Sequence, residues 1–196
     1  EVLHPLLGDN LELLGECIGK LSVKFHVPQI EVAIAELDTI LILRHLQPLT
    51  SEDEAILQDY GEKLKITWYT QSGGLETVKP LNEAVSLNYS LPDHDIKMTF
   101  LPTDFTQVNF ELNQKMINLA LQLLDLNKED EVIDLFCGLG NFTLPISRYV
   151  KAVVGIEGDS GLVERAKENA SQNGVSNASF YKADLFEDVS GFEWFR

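Results

Sequence analysis

Basic residues are scarce. Fifteen Lys and Arg stand against 31 Asp and Glu in 196 residues, giving a formal charge of −16 and a pI near 4.5. Phosphate affinity rests on Lys and Arg, so this balance by itself argues against a free-standing nucleic-acid binder. It argues equally against docking on anionic membranes. The deficit is even along the chain, −9 over residues 1–97 and −7 over residues 98–196. Cysteine is nearly absent. Cys17 and Cys137 make neither a disulfide framework nor a CxxC metal site, so a reducing cytoplasm is the expected compartment. No apolar run approaches the roughly 18 residues of a membrane span. The opening EVLHPLLGDN has no initiator Met and no basic stretch leading into an apolar one, so it does not read as a signal peptide. Repeats and low-complexity tracts are missing. His4, His26, His45 and His94 show no ligand spacing and read as surface or core residues.

What is present is ordinary globular composition, 44% hydrophobic and 23% charged. The rhythm changes near residue 97. Before it, Leu11, Leu14, Ile18 and Leu21 follow helical spacing over about residues 9–22, placing Cys17 on an apolar face. Ile30, Val32 and Ile34 alternate as a strand, and Thr39–His45 is a second, with a hairpin turn at Leu37-Asp38-Thr39. Ser51-Glu52-Asp53-Glu54 has capping-box spacing for a helix to about Leu64. Lys65–Tyr69, Leu75–Val78, Ala84–Tyr89 and Ile96–Leu101 read as strands, with turns at Ser72-Gly73-Gly74 and Pro92-Asp93. Residues 1–97 are thus a mixed α+β segment without a catalytic set.

Residues 98–196 alternate strand and helix. An apolar stripe marks a helix over 110–124. Val132–Phe136 is a short apolar run, as in a strand buried on both faces. A turn at Gly138–Gly140, a helix over Phe142–Tyr149, a buried strand at Ala152–Ile156 and a helix over Ser160–Gln172 follow. Asn173-Gly174 closes that helix, and Ala178–Tyr181 is a third strand. This is the first half of a doubly wound α/β sheet, the cofactor-binding half of a Rossmann-like domain. The sequence is therefore expected to be part of a longer chain, with more strands after Arg196. An unpaired sheet edge would be open to association.

The chemistry-bearing stretch is Asp134-Leu135-Phe136-Cys137-Gly138-Leu139-Gly140-Asn141-Phe142. A strand feeds a glycine turn that lets backbone approach a ligand and opens a helix N-terminus. Glu157 ends the next strand, where a carboxylate can accept from two ribose hydroxyls. Asp184 follows the third, where a carboxylate can accept from an adenine amine. The third glycine of a dinucleotide G-x-G-x-x-G is missing. An acid four residues before the first glycine, Asp134, suits the ammonium of S-adenosyl-L-methionine instead.

A second element precedes it. Phe105-Thr106-Gln107-Val108-Asn109 leads into a helix carrying Asn113-Gln114. FxQVN before a helix, followed by DLFCGLGNFTLP, resembles the RNA uracil-5 methyltransferases. Within them it is most similar to the type that makes 5-methyluridine in bacterial 23S ribosomal RNA. The resemblance runs from about His4 to the end of the chain and is strongest from Phe100 to Asp184. It implies a class I S-adenosyl-L-methionine-dependent fold. It also implies cofactor contacts from Gln107, Phe136, Asn141, Glu157 and Asp184, and places Phe105 near a flipped uracil. Plain core packing is the alternative for Phe105 and Phe136, and a local turn or cap bond for Gln107 and Asn141.

The implied reaction adds a cysteine thiolate to C6 of uracil, methylates C5 and removes the C5 proton with a general base. Cys137, inside the glycine loop, reads as a small packing group and not that nucleophile. The family's nucleophile lies in a later Ser-Cys-Asn-Pro element and its base nearer the C-terminus, neither of which occurs in residues 1–196. No catalytic residue is therefore assigned here, and the chain alone is expected to be inactive. Family members of this type also hold a [4Fe-4S] cluster on four cysteines. His4 is followed by Pro5, so its ligands are not expected in this chain. The partner implied is 23S ribosomal RNA. Rival readings are the same chemistry on tRNA or another RNA, a non-catalytic RNA-contacting or assembly module, and a dinucleotide oxidoreductase.

Overall fold

A computed structural model describes residues 4–192 and 194. The first three residues of the opening stretch read above lie outside the described residues. The chain divides into two compact units, residues 1–87 and 88–196.

The first unit contains α1 (Pro5–Gly8), α2 (Leu11–Lys20), β1 (Gln29–Ile34), β2 (Thr39–Arg44), α3 (Ser51–Leu64), β3 (Thr67–Gln71) and β4 (Lys79–Pro80). The sheet order is β1-β2-β3-β4. The β1–β2 hairpin is antiparallel, with Ile30 opposite Leu43, and β2 runs parallel to β3 across the α3 crossover. Ile40, Leu41, Ile42 and Leu43 of β2 are all fully buried, as befits a central strand. One core joins Cys17 and Leu21 to Leu41, Leu43, Leu57 and Trp68.

Three local expectations shift here. The capping box belongs to Thr50, not Ser51. Thr50 Oγ1 accepts from Asp53 N–H, and the Asp53 carboxylate accepts from Thr50 N–H. Asp53 is also held by Ser22 N–H and Oγ, both at 2.7 Å, and that distant anchor sets the register. Leu75–Thr77 forms a 3-10 turn instead of a strand, because Thr77 Oγ1 bonds both Gly73 N–H and Gly74 C=O. Lys65, at φ 55°, is the left-handed cap of α3, so β3 starts only at Thr67.

The second unit holds β5 (Leu87–Leu91) and β6 (Ile96–Phe100) as a two-stranded sheet. After it come α4 (Phe110–Leu124), β7 (Glu131–Leu135), α5 (Thr143–Ser147), β8 (Ala152–Glu157), α6 (Ser160–Gln172) and β9 (Ala178–Lys182). Strands β7, β8 and β9 are parallel in that order, with Asp134 beside Gly155 and Glu157 beside Lys182. This is the α/β arrangement expected. Strand β5 occupies Leu87–Leu91 where the alternation suggested 84–89, and the helix after the glycine turn shrinks to five residues. Full burial holds for Val153 and Ile156 of central β8. It fails for β7, where Ile133 and Leu135 are about half exposed. Among the described residues β7 has a partner on one side only.

Helix α6 is fastened to β6 by asparagines. Asn169 Oδ1 accepts from Thr99 N–H at 2.8 Å and its Nδ2 donates to Thr99 C=O at 3.1 Å. Asn173 repeats this on Lys97, at 2.7 and 2.8 Å. Four residues of helix rise about 6 Å and two of strand about 6.7 Å, so the i, i+4 pair meets the i, i+2 pair.

Candidate active site

The site is built on two loops of the second unit. Residues 101–109 link β6 to α4 and carry Phe105 and Gln107. Asp104, on that loop, accepts from Leu101 N–H at 2.7 Å and from the Arg165 guanidinium of α6 at 2.5 Å. Its side chain is 3% exposed. Gly161 lies beside this pair, where a Cβ would come within 3.3 Å of an Arg165 Nη. Asn109 caps α4 by accepting from Leu112 N–H.

The glycine loop follows β7. Gly138 and Gly140 sit at φ 54° and 89°, and Phe136, at 61°, adopts the same left-handed region despite its side chain. A Cβ on Gly140 would press on Leu144 at 3.3 Å. Cys137 N–H bonds Ile156 C=O, and Gly138 N–H bonds Glu157 Oε2 at 3.0 Å. The other Glu157 oxygen accepts from Gly158 and Asp159 N–H. One carboxylate thus joins the end of β8 to the glycine turn. Asp134 accepts from Thr143 Oγ1, and burial pushes its carboxyl above the usual range.

Both loops face a cavity of about 170 Å³. The structure brings Phe105, Gln107, Phe136, Gly138 and Asn141 to its walls, together with Tyr89 of β5. Phe105 is 79% exposed and Phe136 63%, so neither is core packing. Asn141 makes no local turn bond through its side chain; it reaches Tyr89 and Asn113. Asp134, Gly140, Glu157 and Asp184 are not on the cavity wall. Glu157 connects to it through Gly138, and Asp184 is exposed after β9, accepting from Phe186 N–H at 3.0 Å. The Phe186 ring lies 6.4 Å from that of Phe136. Tyr89 and Arg165 carry no signal in the sequence, and Asn113, marked there only as following the Phe105–Asn109 element, shows no partner. A tyrosine on a strand, or an amide or guanidinium within a helix, has no periodic mark, and only the two adjacent asparagine-bearing motifs hinted at the pairing.

Burial, with the Asp134 and Glu157 carboxylates, pushes the Cys137 thiol up to about 12. Burial likewise takes Cys17 to about 11. Only thiolate is nucleophilic, so neither group is poised for attack near neutral pH. Ellman's reagent is expected to find no fast-reacting thiol in the native chain and two after guanidinium unfolding. A stoichiometric fast thiol in the native chain would reverse this reading. The described residues contain no cluster of three or more His, Cys, Asp or Glu able to hold a metal ion. With two buried cysteines in separate units, a four-cysteine iron–sulfur site does not fit this chain. No helix among the described residues is long and apolar enough to cross a membrane.

Residues 24–188 match the family described as tRNA (Uracil-5-)-methyltransferase. The chain is 61% identical over 196 residues to the 23S rRNA (uracil(1939)-C(5))-methyltransferase RlmD of Vesicomyosocius okutanii, covering all of this chain and 45% of the relative. It is 47% identical over 193 residues to the RlmD of Stenotrophomonas maltophilia, covering 98% and 44%. The chain thus spans less than half the length of these curated relatives. Among solved structures, the Pyrococcus abyssi tRNA (uracil-54, C5)-methyltransferase in complex with S-adenosyl-L-homocysteine superposes with a TM-score of 0.64. That match covers 94% of this chain and 48% of the other, at 16% identity, and so speaks to the fold.

Proposed function

The chain belongs to the tRNA (uracil-5-)-methyltransferase family, and from that premise we propose that it forms the S-adenosyl-L-methionine-binding part of an enzyme methylating C5 of a uridine in 23S ribosomal RNA. The observation that carries this reading is the shared cavity, where the loop of Phe105 and Gln107 faces the glycine loop of Phe136, Gly138 and Asn141. The residues present suit the cofactor. Glu157 would accept from the ribose hydroxyls, and Asp184 would accept from the adenine amine. Asp134, raised by burial, would be offered a counter-charge by the methionine ammonium. When bound, the cofactor supplies an electrophilic methyl group. Phe105 offers a solvent-exposed aromatic face on which a flipped base stacks. Because Cys17 and Cys137 are buried and their thiols are pushed well above neutral pH, neither suits the attacking cysteine, which would come from outside residues 1–196.

The 23S RNA substrate is favoured by the 61% identity to a relative bearing that name. Isothermal titration of the chain with S-adenosyl-L-homocysteine is expected to show one site, and titration with NAD none. The protein carrying this chain at the length of its relatives is expected to transfer labelled methyl to a 23S RNA transcript and not to tRNA. Label in tRNA alone would move the substrate. Absence of S-adenosyl-L-homocysteine binding would overturn the proposal.

A further inference from the structure

The side-chain amide of Asn141 is engaged by groups from two other elements. Tyr89 on β5 donates its hydroxyl to Asn141 Oδ1 at 2.8 Å. Asn113, on the first turns of α4, donates Nδ2 to the same oxygen at 3.0 Å. Asn141 Nδ2 returns a bond to Asn113 Oδ1 at 2.9 Å. Two of its three members are buried, Asn113 at 2% and Tyr89 at 4% exposure, and Asn141 is half-buried. The Tyr89 ring is itself held, stacked on Phe110 at 5.6 Å and tilted against Phe100 at 6.0 Å. Burial raises its phenol well above the ordinary range, so it remains a donor at any pH the protein meets.

The connectivity gives this node its meaning. Phe110 and Asn113 lie just after the loop of Phe105 and Gln107. Asn109, the last residue of that loop, caps the same helix turn by accepting from Leu112 N–H. Asn141 sits in the glycine loop, 28 residues from Asn113. Tyr89 and Asn141 both line the cavity between the loops. Every polar atom of the node bonds across an element boundary. A purely local cap would leave the two loops free to separate.

We infer that Tyr89 and Asn113 are positioning residues which, acting through Asn141, hold the glycine loop at a set distance from the loop carrying Phe105 and Gln107. Cofactor and base subsites are thereby held in register with one another. The inference rests on the function proposed above as to which ligands use the two loops, while the brace itself consists of bonds between protein groups alone.

Tyr89→Phe is the discriminating variant, because it keeps the ring stack and removes one hydroxyl. Its affinity for S-adenosyl-L-homocysteine, measured by calorimetry, is expected to fall about 5- to 10-fold, the loss of one hydrogen bond. Hydrogen exchange of the unliganded variant is expected to quicken at the amides of residues 138–142 and to stay unchanged in β8. In a double-mutant cycle, Tyr89→Phe is expected to add nothing to Asn141→Ala, because the hydroxyl acts through that amide. Additive losses, or glycine-loop exchange identical to wild type, would overturn the brace. If wild type fails to bind S-adenosyl-L-homocysteine, the functional reading falls, and the exchange comparison still decides the brace on its own.

Discussion

Replacing Glu157 with alanine is expected to weaken S-adenosyl-L-homocysteine binding several-hundred-fold. Hydrogen bonds to a charged group contribute about 1.5–3 kcal/mol each. Losing the two proposed to the ribose would remove roughly 3 kcal/mol at the low end of that range, which is more than about 10²-fold in affinity. The same substitution releases Gly138 N–H from its 3.0 Å bond and frees the Gly158 and Asp159 amides. The glycine turn then loses its tie to β8. Glutamine is expected to be intermediate. Its single carbonyl oxygen can serve Gly138 or the Gly158–Asp159 pair, but its NH₂ must face the other N–H groups. Calorimetric titration of wild type, Glu157→Gln and Glu157→Ala checks the order. A loss under about 5-fold for alanine, less than one such hydrogen bond is worth, would remove Glu157 from the binding site.

The largest stability effect is expected in the first unit, at Asp53. Its side chain is 1% exposed and accepts from Ser22 N–H and Oγ and from Thr50 N–H and Oγ. Burial by itself would raise this carboxyl. The four hydrogen bonds outweigh burial and hold it at about 2, against an ordinary 3.8. Alanine removes a charge-assisted cap and strands buried donors from Ser22 and Thr50, so the unfolding free energy should fall by about 3 kcal/mol. The pH dependence follows from the direction of the shift. A depressed native pKa means that the unfolded chain binds the proton first. The stabilisation, about 2 kcal/mol near neutral pH, is therefore complete above roughly pH 5 and lost as pH falls toward 2. Urea unfolding midpoints of wild type and Asp53→Asn should differ most near pH 7 and converge in acid. A gap that stays constant with pH would mean that the Asp53 charge does not contribute.

Both predictions concern carboxylates, but they were legible to different degrees. Glu157 announces itself. It ends an apolar strand 19 residues after Gly138, and the acid, the glycine turn and the alternation of strand and helix are short-range patterns. Asp53 looked like one of several acids in a helix start. Its selection over Glu54 depended on Ser22, 31 residues earlier in the chain.

The sequence by itself determined the alternating α/β order, the positions of the strands around Asp134 and Glu157, and the glycine turn. Each of these rests on side-chain periodicity or on a backbone conformation that only certain residues adopt cheaply. Cys137 was also legible as a packing group, from its place within that turn. Tertiary structure alone decided which polar groups meet. The Asn113–Asn141 exchange, the Asn169 and Asn173 clasps on β6 and the Asp104–Arg165 pair join residues 28 to 76 positions apart. An amide or guanidinium leaves no periodic trace of its partner, because its bonding is directional and specific to one approaching group. The elements are therefore written locally, while the brace between the two loops exists only once the chain has folded.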